Sequence, residues 1–348
     1  MTEAVHTKED LKQMQALPLE SKIRMTAWRI KDWYEAFNGQ VYVSFSGGKD
    51  STVLLDIVQH FCGYDDVPAV FVNTGLEYPE VQSFVRNIKK GKVENFNTNV
   101  EILTPEMRFD EVIKTYGYPV ISKEVAKKIY EGRNATKNGN PDNYAARQFN
   151  GTYVSKNGKT NAYSVTKWKS LYYSDIPISH MCCNIMKKNP LKKYEKETGR
   201  KPIIATMASE SLLRRTNWLK FGCNAFNKGR PSSQPMSFWT EQDVLEYLVK
   251  YNVPYASVYG QIQEVGELEG QMYIDGFHAK LCTSKAQRTG CMFCMFGCHL
   301  DKLGENKDKN RFQLMKESHP KQYEYCMKPI EEGGLGLDKV LEYIGVPH

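Results

Sequence analysis

The chain lacks the features that mark several large classes of protein. It has no apolar run approaching the length of a membrane span, no charged-then-apolar pattern at its N-terminus, and no internal repeat or low-complexity tract. These absences predict a cytoplasmic protein without a membrane partner. With 41% hydrophobic and 12% aromatic residues over 348 positions, we expect one large or two modest domains with a real core.

The net charge and the cysteine content indicate which kinds of partner and site to expect. The net charge of +7 fits an anionic partner such as a nucleotide, a sulfate-bearing metabolite or nucleic acid, and it fits an ordinary mildly basic enzyme equally well. In a reducing compartment the nine cysteines are not expected to form a disulfide framework. Their clustering therefore indicates metal binding or catalysis.

The most informative stretch covers residues 41–58. Its pattern predicts a short strand, a Ser/Gly turn and an apolar helix that begins at Ser51. Such a turn brings backbone N–H groups close to an anion at the positive end of a helix dipole, and Lys49 adds a mobile charge. Asp50 is either the helix N-cap or a magnesium ligand. The phosphate-binding candidates are Ser46, Gly47, Gly48, Lys49 and Ser51.

The order of residues in this turn separates it from other nucleotide loops. It is neither Gly-x-x-x-x-Gly-Lys-Ser/Thr nor Gly-x-Gly-x-x-Gly, which disfavours a Walker-type NTPase and a dinucleotide-binding fold. The run Ser46-Gly-Gly-Lys-Asp-Ser51 resembles the PP-loop of the ATP pyrophosphatases. That resemblance implies cleavage of ATP between the α- and β-phosphates. A plain Gly-Gly turn between strand and helix is the alternative.

The remaining pattern predicts an α/β fold. Residues 8–37 have helical spacing, further strands are predicted at 68–72, 100–104 and 202–206, and Thr240 is expected to cap a helix. Ligands of parallel sheets bind at the carboxyl ends of strands. We therefore expect Thr74 and Gly75, which follow the second strand, to lie beside the PP-loop and to bind the nucleotide or the acceptor.

Several segments resemble the phosphoadenosine phosphosulfate (PAPS) reductase family. They are the Thr-Gly after the second strand, the Cys-Cys before Lys187 and Pro190-Leu, and Trp239-Thr-Glu-x-Asp-Val. The resemblance implies a parallel twisted sheet flanked by helices, as in the adenine nucleotide α-hydrolases. The chain has Asn73 where the family usually has Asp, and Ala205 and Met207 where it has Gly and its first Arg. Glu210, Ser211 and Arg214 remain, but a methionine cannot replace bidentate anion binding, which puts a sulfonucleotide substrate in doubt.

Residues 123–175 differ in composition from their surroundings. Lysines and arginines alternate with tyrosines and Trp168, and Asn/Gly-rich turns occur at 138–143 and 157–158. This pattern predicts a hairpin or lid inserted into the α/β core. Its surface would either follow a nucleic-acid backbone or close over ATP.

Four cysteines with uneven spacing form the second chemical signal: Cys282, Cys291, Cys294 and Cys298. Zinc ribbons normally have two Cys-x2-Cys pairs, and this run has one, so a 4Fe–4S cluster is favoured over zinc. A similar arrangement accompanies the PP-loop in the sulfurtransferases of bacterial DNA phosphorothioation. The nucleophilic C-terminal Cys segment of the reductases has no match here, and Cys326 is expected to be a buried helix cysteine.

The sequence thus predicts an ATP-pyrophosphatase-type enzyme that adenylylates an acceptor, with the cluster assisting sulfur transfer. We expect a helical segment at 1–37, a PP-loop α/β domain at 38–260 and a Cys-rich region at 261–348. ATP and Mg²⁺ are the expected ligands, Lys49, Asp50 and Arg214 the catalytic candidates, and a sulfur-donor protein a further partner. The alternatives are a sulfonucleotide reductase that holds its cluster with Cys182, Cys183, Cys291 and Cys294, and a nucleic-acid-binding adaptor with a degenerate loop.

Overall fold

The computed structural model describes residues 5–160, 165–265, 280–301 and 309–348. Its strands are β1 (Val41–Ser44), β2 (Ala69–Val72), β3 (Val100–Leu103), β4 (Val120–Ile121), β5 (Lys201–Ile203), β6 (Asn224–Ala225), β7 (Ser232–Ser233), β8 (Ile262–Val265), β9 (Lys280–Thr283) and β10 (Met295–Phe296). Its helices are α1 (Lys8–Gln15), α2 (Leu19–Ala36), α3 (Lys49–Asp56), α4 (Pro79–Lys89), α5 (Phe109–Tyr116), α6 (Lys123–Lys137), α7 (Tyr144–Asn150), α8 (Lys169–Tyr173), α9 (Asn189–Thr198), α10 (Leu212–Phe221), α11 (Glu241–Lys250), α12 (Arg311–Ser318), α13 (Pro320–Met327) and α14 (Leu337–Tyr343). None of the helices in these ranges is long and apolar enough to cross a membrane.

The chain divides into two compact units. The first comprises residues 1–73, 77–104 and 190–289, and the second comprises residues 74–76, 105–189 and 290–348. The chain therefore passes from one unit to the other several times. The limits predicted from the sequence at residues 37 and 260 stay predictions.

The first unit is built on a six-stranded sheet with the order β3-β2-β1-β5-β7-β6. Neighbouring strands from β3 to β7 are parallel, and β6 runs antiparallel to β7. In register, Val43 of β1 lies opposite Ala69 on one side and Ile203 on the other. The predicted α/β fold with a mostly parallel sheet flanked by helices is confirmed.

Alternation of side chains along β1 places apolar groups on both faces of this sheet. Val41 and Val43 belong to a large buried cluster that also contains Ile30 of α2 and Val53 of α3. Tyr42 points into a second, smaller cluster with Val70 and with Tyr194 of α9. Because both faces of the central strand are buried, packing fixes the position of this strand. It therefore also fixes where the following loop begins.

The N-terminal segment differs from its prediction. Residues 8–37 form two helices rather than one, because α1 ends at Gln15 and α2 begins after Pro18. Pro18 has an extended backbone (φ −56°, ψ 150°) and lacks an amide hydrogen, so a continuous helix cannot pass through it. The α2 residues Ile23, Ala27 and Ile30 are nevertheless buried, as their helical spacing predicted. Trp33, which lies off that spacing, is buried as well.

The second unit contains α5 to α8 and α12 to α14, and a short parallel pair of β4 and β10. The predicted insertion, residues 123–175, is mainly helical. It includes a small hairpin, since Val154 bridges Thr160 across the turn at 157–158, whereas the turn at 138–143 connects two helices. Arg133 fixes the C-terminal end of this insertion by donating hydrogen bonds to the carbonyls of residues 171, 172, 174 and 176 at 2.6–2.9 Å. Residues 161–164 lie outside the described part of the chain.

Candidate active site

The PP-loop lies between β1 and α3, where the packed central strand ends. Gly47 has φ +70°, a left-handed backbone that disfavours other residues, and a β-carbon there would lie 2.7 Å from Val85 Cγ2. Gly48 is the N-cap of α3 and offers no side chain to the helix. The first N–H groups of α3 are therefore presented by a turn built from small residues, the arrangement that suits a bound anion.

Hydroxyl groups stabilise the turn from within. The Ser51 hydroxyl donates to the Gly48 carbonyl at 2.9 Å and lies 3.0 Å from the Ser46 hydroxyl. The backbone N–H of Ser46 also donates to Ser51 Oγ at 3.2 Å, and the hydroxyl of Thr52 donates to the Gly48 carbonyl at 3.1 Å. Ser51 therefore holds the loop in shape.

Lys49, the first residue of α3, is buried with only 4% of its side chain exposed. Its ammonium group donates to the Gln287 carbonyl at 2.7 Å and pairs with Glu241 at 3.0 Å. It also lies 5.4 Å from the ring centroid of Tyr259, whose hydroxyl accepts a hydrogen bond from the Lys49 backbone N–H at 3.2 Å. A buried positive charge is thus fixed at the start of the helix.

Asp50 is in the first turn of α3. Since Gly48 is the N-cap, the alternative that Asp50 caps the helix is wrong. Its Oδ1 atom is buried without a hydrogen-bond partner among the described residues. Burial raises the pKa of this carboxyl, and the nearby charges of Lys49, Arg288 and Arg214 oppose that rise while Glu241 adds to it. A buried carboxylate oxygen with no partner fits the predicted magnesium ligand.

Arg214 lies on α10 and contributes to the same electrostatic environment. Its guanidinium group pairs with Glu210, four residues earlier and before the N-cap of α10. Burial lowers the pKa of Arg214, as does the positive charge of Arg288, while Asp50 raises it. Arg214 therefore belongs to the charged surroundings of the PP-loop, and its catalytic role stays a prediction. Met207 is buried with 3% exposure and contributes no charge.

Thr74 and Gly75 belong to the second unit. Thr74 is buried, and its hydroxyl accepts a hydrogen bond from the Leu76 N–H at 3.2 Å. Gly75 has φ +76°. Their predicted role beside the PP-loop stays a prediction.

The second unit brings four thiols into electrostatic contact. A hydrogen bond with Cys183, burial, and the charges of Cys183, Cys291 and Cys294 all raise the pKa of Cys182. The same hydrogen bond lowers the pKa of Cys183, and the positive charges of Lys123 and Lys187 add to that effect. The Cys-Cys pair and the Cys-x2-Cys pair, more than a hundred residues apart in sequence, are thus close in the fold.

Arg311 fixes the segment that carries Cys291, Cys294 and Cys298. Its guanidinium donates to the Cys294 carbonyl at 2.9 Å and pairs with Asp301 at 2.7 Å. On the other side of this segment, β10 pairs with β4, where Ile121 has an unusual φ of +63°. A β-branched residue keeps such a strained backbone only where the surrounding structure holds it in place. The strained residue lies directly beside the cysteine segment, because Ile121 is opposite Phe296.

The predicted ligand set of Cys282, Cys291, Cys294 and Cys298 is divided between the two units. Cys282 lies on β9 in the first unit and the other three lie in the second. Within the described ranges, no three His, Cys, Asp or Glu side chains are arranged to hold a single metal ion. A four-iron cluster, however, holds its ligand sulfurs farther apart than a single ion does. The chemistry of the four neighbouring thiols Cys182, Cys183, Cys291 and Cys294 fits such a group.

Sequence reasoning did not identify four residues that surround the PP-loop: Glu241, Tyr259, Gln287 and Arg288. They are about 190 to 240 positions from the loop in sequence. Tyr259 followed a recognisable Pro/Gly turn signal, but nothing indicated that its hydroxyl would reach Lys49. Gln287 acts through its backbone carbonyl, which no side-chain motif can reveal.

The chain is similar to several known proteins. The family model described as "Phosphoadenosine phosphosulfate reductase domain" matches residues 40–140 and 142–296. The uncharacterized protein MJ0066 of Methanocaldococcus jannaschii is 25% identical over 233 residues, which are 66% of this chain and 35% of that protein. The chain thus spans about a third of the length of this relative.

Two solved structures are also similar. The phosphate complex of the PAPS reductase of Candida auris is 14% identical with a TM-score of 0.38, covering 78% of this chain and 100% of that one. The FMN adenylyltransferase of Candida glabrata is 11% identical with a TM-score of 0.39, covering 72% of this chain and 64% of that one. Because the family match covers most of the chain, including the PP-loop and the four neighbouring thiols, this chain belongs to the phosphoadenosine phosphosulfate reductase domain family.

Proposed function

We propose that this chain is an ATP pyrophosphatase that activates an acceptor by adenylylation for transfer of sulfur. The observation that carries the proposal is the PP-loop, in which a left-handed glycine precedes the N-cap of α3 and a buried lysine begins the helix. An oxygen atom of the acceptor would attack the α-phosphorus of ATP, and pyrophosphate would leave. A sulfur nucleophile would then displace AMP from the activated acceptor atom.

The residues of the loop have separate tasks in this reaction. The N-terminus of α3 and Lys49 would bind the phosphate oxygens and stabilise the charge that grows on them in the transition state. To do so, Lys49 must exchange its bond with the Gln287 carbonyl for a bond with phosphate. Asp50 would hold Mg²⁺, which neutralises the leaving pyrophosphate. Arg214 would bind the nucleotide or the acceptor.

A 4Fe–4S cluster would supply sulfur or redox chemistry when bound. Two ligand sets are proposed, and both contain Cys291 and Cys294. The set predicted first adds Cys282 and Cys298, whereas the electrostatic contacts of the fold favour Cys182 and Cys183. Iron and acid-labile sulfide, measured after anaerobic purification of Cys183→Ser and Cys298→Ser, distinguish the two, because each variant removes a ligand of one set only.

The second candidate function is sulfonucleotide reduction, and the position of Cys182 and Cys183 beside Cys291 and Cys294 favours it. This reaction needs a thiol reductant, which is oxidised to a disulfide, and it produces sulfite together with AMP or, from the 3′-phosphorylated substrate, adenosine 3′,5′-bisphosphate. Formation of sulfite from adenosine 5′-phosphosulfate or its 3′-phosphorylated form with a thiol donor would support it. Formation of pyrophosphate from ATP would support the first candidate.

The proposed function is tested by comparing Lys49→Met with Lys31→Met. Lys31 is an exposed lysine of α2, so its variant loses the same charge outside the loop. We expect wild type and Lys31→Met to bind ATP–Mg²⁺ with similar affinity in calorimetry, and Lys49→Met to bind it at least about tenfold more weakly, since hydrogen bonds to charged groups contribute about 1.5–3 kcal/mol. Equal ATP affinity and equal pyrophosphate release in the two variants would contradict the proposal.

A further inference from the structure

The segment from Ser284 to Thr289 is anchored along its length. The N–H of Ser284 donates to the Gln261 carbonyl at 2.8 Å, and that of Lys285 donates to the Tyr259 carbonyl at 3.1 Å. The next residue, Ala286, donates its N–H to the Val258 carbonyl at 3.2 Å. Regular contacts of this kind fix the path of the backbone, so the residues that follow have defined positions.

The end of this segment lies against the PP-loop. The Gln287 carbonyl accepts the hydrogen bond of the Lys49 ammonium group at 2.7 Å. The hydroxyl of Thr289 lies 2.5 Å from that of Tyr259, and a β-carbon on Gly48 would lie 3.2 Å from Thr289 Oγ1. Arg288 is therefore held between two residues, one bonded directly to the loop lysine and the other in close contact with the loop backbone.

The charges of Arg288 and Arg214 both act on Asp50. The Arg288 side chain is exposed, and its positive charge acts on both Asp50 and Arg214. Two guanidinium groups that act on each other in this way repel. An anion bound by both removes the repulsion and gains charge-assisted hydrogen bonds. The pair also offers what the chain lacks at Met207, a second guanidinium for an anionic group.

We propose that Arg288 is an anion-binding residue of the nucleotide site, and that with Arg214 it binds the group attached to the α-phosphate. This inference rests on the proposed binding of a nucleotide at the PP-loop. The ligand class is a nucleotide with a second anionic group, either the pyrophosphate of ATP or the sulfate of a sulfonucleotide. The segment that carries Arg288 also contacts Lys49 through the Gln287 carbonyl, so Arg288 is one residue away from a direct contact with the loop lysine.

The test compares Arg288→Gln with Lys285→Gln. Both variants lose one positive charge from an exposed residue of the same segment, and only Arg288 is adjacent to the residues that contact the loop. Affinities for ATP, adenosine 5′-phosphosulfate and AMP are measured by calorimetry at about 0.15 M salt, where distant surface charges are largely screened. Melting temperatures confirm that both variants are folded.

We expect Arg288→Gln to weaken binding of ATP, of the phosphosulfate, or of both by about 10- to 100-fold, and to change AMP binding by less than about twofold. Lys285→Gln should change no affinity by more than about twofold. Loss confined to ATP assigns Arg288 to the pyrophosphate, and loss confined to the phosphosulfate assigns it to the sulfate. Arg288→Lys should recover part of the affinity, because it restores charge without the bidentate geometry.

Three results would overturn the inference. They are an unchanged affinity in Arg288→Gln, an equal loss in Lys285→Gln, and a loss for AMP as large as that for ATP. The proposed function fails separately if wild type binds neither ATP nor the phosphosulfate, or if Lys49→Met binds them as wild type does. When Lys49→Met loses binding and Arg288→Gln keeps it, the proposed function stands and the role of Arg288 is refuted.

Discussion

Replacing Gly47 by alanine tests whether the PP-loop has the conformation described here. The residue has φ +70°, and an alanine β-carbon would lie 2.7 Å from Val85 Cγ2 and 2.8 Å from Val81 Cγ1, both on α4. Gly199 is the matched control, because it has φ +75° but no heavy atom within 4 Å of the added carbon. Both variants share the cost of a left-handed backbone, and only Gly47→Ala adds a steric clash.

The expected magnitudes follow from these two contributions. The left-handed conformation costs alanine about 1–2 kcal/mol, offset by about 0.4–1 kcal/mol from the reduced entropy of the unfolded chain. Overpacking against the two valines adds about 1–3 kcal/mol for Gly47→Ala alone. At about 2–4 °C per kcal/mol, Gly47→Ala should melt about 2–12 °C below Gly199→Ala. Its ATP affinity should also fall, because α4 or the loop must move.

Thermal unfolding followed by circular dichroism measures the difference, and calorimetry with ATP–Mg²⁺ measures the affinity. Equal melting temperatures for Gly47→Ala and Gly199→Ala would refute the packing of the loop against α4. ATP affinity that is unchanged in Gly47→Ala, despite the lower melting temperature, would show that the loop does not bind phosphate.

Two further comparisons test a buried ion pair of the first unit and the support of the cysteine segment. Lys22→Met leaves Asp243 buried without the lysine that lies 2.7 Å from it, so the free energy of unfolding should fall by about 3–5 kcal/mol. Lys250→Met breaks an exposed ion pair and should lower it by less than about 1 kcal/mol. Urea titrations measure both values. Arg311→Met removes the donor to the Cys294 carbonyl, and it should lower iron content per chain without changing ATP affinity, as measured by iron assay and calorimetry. Comparable losses in Lys22→Met and Lys250→Met, or full iron content in Arg311→Met, would contradict these assignments.

The parts of the fold that depend on local pattern could be predicted from the sequence. Strands β1, β2, β3 and β5 follow from short apolar runs next to turn residues, and the PP-loop follows from the order of six residues. The break between α1 and α2 was missed because helical spacing continues on both sides of Pro18. The prediction relied on the spacing of apolar residues and gave too little weight to Pro18, which the interior of a helix does not tolerate.

The parts that depend on distant contacts could not be predicted. Lys22 pairs with Asp243, and Lys49 binds the carbonyl of Gln287, yet neither partner has a feature that marks it in the sequence. The cysteines show the same limit. Spacing alone grouped Cys282 with the later three because they are neighbours in sequence. Only the resemblance to the reductases suggested the set of Cys182, Cys183, Cys291 and Cys294, whose electrostatic contacts the fold provides from more than a hundred residues away.

The central claim is that the PP-loop directs cleavage of ATP between its α- and β-phosphates. It is tested most directly in single turnovers with enzyme in excess, where water can replace the unknown acceptor, by identifying the nucleotide product. The account predicts AMP from ATP and from β,γ-methylene-ATP, none from α,β-methylene-ATP, and none from any of them in Lys49→Met. Formation of ADP and phosphate from ATP, or of AMP by Lys49→Met at the wild-type rate, would contradict it.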